Sequence, residues 1–148
     1  MNSKTIQSKI ELLYNWLKSQ EFTSNIELTG APSWLKVEHT TGVYVPYNPG
    51  IYIVRLKKPV EKGSDIVYIG QTDDLNRRIG FLRSAIRSGT APHSGGKRLR
   101  ELFGPDLTQF EICWYKTTNV YAAKLFERFL IVSFIEEEER LPIGNKDC

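Results

Sequence analysis

Apolar residues recur along the chain with two different periods, and the switches between them mark its elements. Ile6, Ile10, Leu13 and Leu17 fall at helical spacing, with Trp16 beside them, and predict an amphipathic helix over 4–20. Residues 21–49 carry weaker signals: a short strand at 26–28, the breakers Gly30 and Pro32, then Trp34-Leu35-Lys36-Val37 and a turn at Asn48-Pro49-Gly50. Gly50-Ile51-Tyr52 opens a strand that continues through Ile53, Val54, Arg55 and Leu56, and Ile66 and Val67 lead a second strand into Tyr68-Ile69-Gly70. The segment between them holds Pro59, Gly63, Ser64, Asp65 and several lysines, so the pair reads as one antiparallel hairpin. Centred near Val60, it sets Tyr52 opposite Tyr68, with both phenols on one face and Cβ atoms about 5 Å apart. A slip of one residue would place them on opposite faces. The helical period returns at Leu75, Ile79, Leu82 and Ile86, capped by Asp73 or Asp74 and ending near Ser88. Residues 89–96, with Pro92 and His93, read as a loop, and 97–103 as a short helix stopped by Gly104-Pro105. Residues 109–116 alternate, Phe110, Ile112 and Trp114 on one face and Glu111, Cys113 and Tyr115 on the other, before a long helix over 119–138.

This order predicts an α+β fold: a small three-stranded antiparallel or mixed sheet flanked by helices. The N-terminal 1–49 form an extension and 50–148 the main domain, together one compact unit. The extension either covers the sheet or holds contacts that select a substrate. A chain of 148 residues, 41% hydrophobic and 25% charged, has the composition of an ordinary soluble globular domain. It has no apolar run long enough to span a bilayer, and its N-terminus lacks the layout of a secretion signal, which speaks against membrane and secreted classes. The greasiest stretch, 126–135, is broken by Glu127, Arg128 and Ser133. Cys113 and Cys148 have no metal-ligand spacing, so a reducing cytoplasm is the expected compartment.

A net charge of +3 says little by itself, but its distribution is uneven. Arg77, Arg78, Arg83, Arg87, Lys97, Arg98 and Arg100 follow one another with no acidic residue among them, while glutamates pool at 136–139. Such a stretch is either the electrostatic footprint of a phosphate-backbone ligand or a solvated helix face. Helical phase divides it: Arg78 lies on the shoulder of the apolar stripe, Arg77 points to water, and Arg83 and Arg87 occupy the opposite shoulder.

Beyond the two tyrosine triplets, the chain has the polar loop Gln71-Thr72-Asp73-Asp74, then Arg78 on the next helix. Glu127 follows in the apolar run Ala123-Lys124-Leu125-Phe126-Glu127-Arg128-Phe129-Leu130, and Asn145 in Pro142-Ile143-Gly144-Asn145. In order and approximate spacing these positions resemble the GIY-YIG nuclease family, over roughly 50–145. Two features depart from the family. Its hairpin loop is usually a little shorter, and many members have a histidine one helical turn beyond the arginine, where this chain has Leu82. His93, in the loop leading to Lys97 and Arg98, either replaces that histidine as a proton acceptor or is a solvent-exposed loop residue.

The resemblance implies a DNA endonuclease dependent on Mg²⁺ or Mn²⁺, with Glu127 as metal ligand and Arg78 on the scissile phosphate. One phenol, Tyr52 by first choice, would orient or deprotonate the attacking water, and Asn145 would support the site. Double-stranded DNA would lie on Arg77, Arg83, Arg87, Lys97, Arg98 and Arg100. The compact layout is nearest to restriction enzymes, which cut both strands and are expected as homodimers. A structure-specific repair or recombination nuclease and a non-catalytic nucleic-acid-binding module are the competing readings. Each residue also has a plain structural role open to it. Glu127 can pair with Lys124 or Arg128, Arg78 with Asp74, the tyrosines can be buried strand aromatics, and Asn145 can be a turn residue.

Overall fold

A computed structural model describes residues 1–20, 28–30, 33–58 and 64–146. The expected strand at 26–28 therefore lies outside the described residues except for Leu28, as do Pro59, Val60 and Gly63 of the hairpin loop and the terminal Cys148. Helix α1, Ser3–Lys18, starts at Asn2, whose side chain accepts from the Thr5 N–H. It buries Ile6, Ile10, Leu13 and Leu17 and leaves Trp16 exposed.

Five strand segments form one antiparallel sheet: β1 (Leu28–Gly30), β2 (Leu35–Lys36), β3 (Gly50–Leu56), β4 (Ile66–Thr72) and β5 (Phe110–Thr117). The order is β1-β5-β3-β4, with β2 also paired to β5. The three expected strands are the long ones, β3, β4 and β5. The count is corrected by β1 and β2, which pair along the remaining edge of β5 and are too short to show a two-residue period.

The hairpin register is also corrected. Tyr52 pairs with Gly70, and Val54 with Tyr68, because the turn is centred further along and a bulge interrupts the ladder between Val54 and Arg55. A shift of two keeps the parity of the strand, so both phenols still leave the same face, their ring centroids 5.7 Å apart.

Helix α2, Leu75–Ser88, is capped by Asp74, whose carboxylate accepts from the Arg77 N–H, and closes on Gly89 at φ 76°, a left-handed position that favours glycine. Helix α3, Ser94–Phe103, starts earlier than its sequence indicates, and α4, Val120–Glu138, is capped by Asn119. On one face of the sheet Ile51, Ile53, Ile69, Cys113 and Tyr115 pack against α1 and against Phe126, Leu130 and Phe134 of α4. On the other, Tyr52, Val54, Phe110, Ile112 and Trp114 pack against Leu75, Ile79, Leu82 and Ile86 of α2 and Leu99 of α3. The fold is thus α+β, an antiparallel sheet flanked by helices. No helix among the described residues is long and apolar enough to cross a membrane.

Strand β4 is an edge strand. The chain after α4 returns to it: the Gly144 N–H donates to the Val67 carbonyl, and the Asn145 amide bonds both backbone groups of Ile69, at 3.1 Å and 2.8 Å. Asn145 ends a turn from Pro142, yet its side chain acts as one residue of an added strand beside Tyr68.

Candidate active site

The site is built around the two phenols of the hairpin. Tyr52 lies on the central strand β3 and is fully enclosed, whereas Tyr68 on the edge strand is half-buried. Glycines make room for both. A Cβ at Gly70 would lie 2.6 Å from the Tyr68 ring and 2.7 Å from that of Tyr52, and one at Gly95 would run into the Tyr68 ring from α3. Gly70 is therefore required by the packing of the phenols rather than by a turn. Gly95, which carries no signal in the sequence, serves the same pair.

His93 is the largest departure from expectation. It closes the loop as expected, but it is wholly buried rather than exposed and caps α3, its Nδ1 accepting from the Gly96 N–H at 2.9 Å. Its Nε2 lies 2.8 Å from the Tyr52 hydroxyl. A ring nitrogen that accepts from an N–H carries no proton, so the neutral imidazole holds its proton on Nε2 and donates it to Tyr52. Burial, followed by the nearby Arg78 charge, pushes the His93 pKa down to about 3 and keeps the ring neutral. A nitrogen that already bears a proton cannot accept one. The proton-acceptor reading of His93 is accordingly replaced by that of a fixed donor.

The Tyr52 oxygen, accepting from His93, directs its own proton toward Tyr68. Burial raises the Tyr52 pKa well above that of a free phenol, with the Tyr68 charge adding and Arg78 opposing. Tyr68 is also raised by burial, but the hydrogen bond from Tyr52 and the Arg78 charge work against that rise, while Glu127 adds to it. Of the two phenols, Tyr68 is the one whose ionised form is less strongly opposed, and the one nearer to solvent. The expectation that assigns water activation first to Tyr52 thus meets an enclosed hydroxyl held between two other groups.

Arg78 projects from the flank of α2, half-buried as its phase predicts, and its Nη1 donates to the Pro92 carbonyl at 2.8 Å. It makes no ion pair with Asp74, which is spent on the helix cap, and the i,i+4 pair on this helix is Arg77 with Asp73 at 2.8 Å. Glu127 reaches the same neighbourhood from α4, with 14% of its side chain exposed and its charge acting on Tyr68. Arg128 Nε lies 3.8 Å from its Oε1, a long contact for an ion pair.

The Arg78–Pro92 bridge forms a shared wall between two concavities. One, of about 490 Å³, is lined by Arg78, Pro92, His93, Ser94, Lys97, Arg98, Glu101 and Lys146. The other, of about 710 Å³, runs along Gln71, Thr72, Asp73, Arg77, Phe81, Val120 and Lys124. Arg77, Lys97 and Arg98 therefore face this side. Arg83, Arg87 and Arg100 line neither concavity. Arg83 donates to Thr40 at 2.7 Å and has its pKa lowered by burial and by Arg87. Arg100 bonds the carbonyls of Ile86 and Arg87, closing the C-terminal end of α2. Lys124 and Lys146 complete the basic rim. Their signal in the sequence is proximity alone: Lys146 follows Asn145, and Lys124 precedes Glu127 by nearly one helical turn.

Among the described residues, no three His, Cys, Asp or Glu side chains gather in a group able to hold an ion. The Glu127 carboxylate is a hard oxygen ligand of the kind Mg²⁺ and Mn²⁺ take. The chemistry of the donor fits an ion that keeps most of its waters and is completed by a phosphate. No family model, no curated protein and no solved structure matches the chain.

Proposed function

We propose that the chain is a metal-dependent DNA endonuclease of the GIY-YIG kind, hydrolysing phosphodiester bonds at the edge of its sheet. The observation that supports this most is convergence: Arg78 and His93 line a basic concavity, the Tyr68 ring lies 5.2 Å from that of His93, the Tyr52–His93 pair stands behind it, and the charges of Arg78 and Glu127 both act on Tyr68.

Arg78 takes the scissile phosphate. Its bond to Pro92 holds one end of the guanidinium and leaves the rest of the fork for phosphate oxygens. Tyr68 orients the attacking water through its outer hydroxyl. His93 donates to Tyr52 and Tyr52 to Tyr68, so the relay favours Tyr68 as the phenolate, its own proton lost to solvent. That oxygen then takes the proton of the attacking water and returns to the neutral phenol. Glu127 would hold Mg²⁺ or Mn²⁺, which would supply Lewis acidity at the phosphate. Asn145 positions Tyr68 by fixing the backbone of the next residue. The restriction-type form of this reading uses two copies of the chain, one for each strand.

Supercoiled plasmid with Mg²⁺ tests the proposal. Nicked or linear products that vanish in EDTA are expected, and discrete fragments identify the restriction-type form. Cleavage only at branched or damaged sites identifies a structure-specific nuclease. Retention of DNA without cleavage in Mg²⁺ or Mn²⁺ makes the chain a binding module and ends the enzymatic reading.

A further inference from the structure

The two concavities differ in chemistry as well as position. The first sets Arg78, Lys97, Arg98 and Lys146 against one carboxylate, Glu101. It suits an anion with little else to recognise. In the second, Arg77 and Asp73 neutralise each other at 2.8 Å, and the Thr72 hydroxyl is occupied by the backbone of Asp74. What remains for a ligand is two cations, Arg78 and Lys124, one amide, Gln71, and the apolar wall of Phe81, Pro92 and Val120. Neither the Gln71 amide nor the Lys124 ammonium has a hydrogen-bond or ion-pair partner among the described residues. A bare anion would leave the apolar wall and the amide unused. A purely apolar ligand would bury the two cations without partners, which is costly.

We infer that this second concavity is a nucleoside subsite, which takes the sugar and base on one side of the phosphate held by Arg78. Arg78 and Pro92 line both concavities, so a phosphate on the bridge has a nucleoside-sized space of about 710 Å³ immediately beside it. Phe81 and Val120 supply the apolar surface for a base, Gln71 both a donor and an acceptor for its edge, and Lys124 a charge for the next phosphate. The inference rests on the phosphodiester reading of Arg78 but adds residues to which that reading gives no role.

The test uses the metal-free chain titrated by NMR with inorganic phosphate, with a deoxynucleoside 5′-monophosphate and with a deoxynucleoside 3′-monophosphate. At least one nucleotide is expected to bind about tenfold tighter than phosphate, the scale of one base against an apolar wall. Val120→Trp, which fills the concavity from the first turn of α4, should abolish that difference and leave phosphate binding intact. Gln71→Ala, at a partly exposed strand position, should reduce it. Arg78→Ala should weaken all three ligands together. If phosphate and both nucleotides bind equally but all depend on Arg78, the subsite is refuted and the phosphate reading stands. Tighter nucleotide binding that survives both Val120→Trp and Gln71→Ala places the base elsewhere and also refutes the subsite. If Arg78→Ala changes nothing, the phosphate reading fails as well.

Discussion

Each face of the sheet buries a phenol, and the two phenols sit in opposite chemical settings. Tyr115, on the side of α1 and α4, has a pKa pushed up to about 12 by burial and by its neighbour Cys113, itself pushed up to about 12. It packs in the aliphatic and aromatic core of that side, and its polar neighbours are two residues of α1, Gln7, which bonds the hydroxyl and opposes the rise, and Glu11, whose charge adds to it. Tyr52, on the side of α2 and α3, is more completely buried, yet it bonds a neutral histidine, lies against a second phenol and feels the charge of Arg78. Burial acts the same way on both. What separates them is the partners: Tyr115 ends on a single amide of α1, with no cation or histidine among the described residues that shift its pKa, whereas Tyr52 belongs to a polar relay that interrupts the core and opens at the edge strand. Function is proposed only for the second.

The largest effects should come from breaking the polar face at its rim. Arg78→Ala should lower plasmid cleavage by at least about a hundredfold to a thousandfold, the usual loss for one charge-stabilising donor, with little change in melting temperature. Arg77→Ala, already paired with Asp73, should cost far less. Equal losses would show that α2 presents a different side to the substrate. Glu127→Gln keeps shape and removes charge, so cleavage should fall by several orders of magnitude at every Mg²⁺ concentration while the fold survives. A folded variant that still cuts at the wild-type rate would end the metal role of Glu127.

Next in size are changes that separate packing from chemistry. Ile10→Ala, fully buried on the inner face of α1, should cost about 2–5 kcal/mol of stability and leave cleavage per folded molecule unchanged. His93→Asn retains a side chain able to cap α3 but withdraws the donor from Tyr52, so it should destabilise by about 1–3 kcal/mol and also slow cleavage. The acid side of the stability curve gives a further sign. His93 titrates near 6.5 when unfolded and at about 3 when folded, so unfolding takes up a proton between those values. Its contribution is complete above the unfolded pKa and is lost as pH falls toward 3, by about 1.4 kcal/mol per pH unit. Urea titrations from pH 7 to pH 4 should show a shallower fall in His93→Asn than in the wild type. Identical slopes would mean that the ring is not held neutral.

The smallest effect concerns the division of the arginines. Replacing Lys97 and Arg98 together should reduce the salt dependence of DNA binding by about two phosphate contacts. Replacing Arg83 and Arg100, which bond Thr40 and the end of α2, should change stability instead. The opposite pattern would redraw the binding face.

Much of this arrangement was legible in the sequence, for identifiable reasons. Helix α2 combines an unbroken 3.6-residue period with a capping aspartate and a closing glycine, so its bounds and the tilt of Arg78 toward the site followed from pattern. The alternation of β5 sorted its residues correctly onto the two faces. The shared face of Tyr52 and Tyr68 depended only on parity, so it survived an incorrect register. The register itself turned on the turn centre and on the bulge at Val54 and Arg55, which no local period reveals. The placement of His93 was missed because α3 begins with Ser94-Gly95-Gly96, where glycine argues against a helix. The reason for one of those glycines, the Tyr68 ring lying against it, is a tertiary fact. Histidine is also an unusual cap. Strands β1 and β2, three and two residues long, exist only because β5 offers them an edge.

The contrast between the faces is tested most directly by removing one hydroxyl from each. Tyr68→Phe and Tyr115→Phe are made in parallel, shown by melting to be folded, and compared for Mg²⁺-dependent nicking of supercoiled plasmid. The account predicts that Tyr68→Phe loses at least about a hundredfold in rate, the low end for a group that manages the proton in the transition state, while Tyr115→Phe cuts like the wild type. Equal activity in the two variants, or a loss confined to Tyr115→Phe, would contradict it.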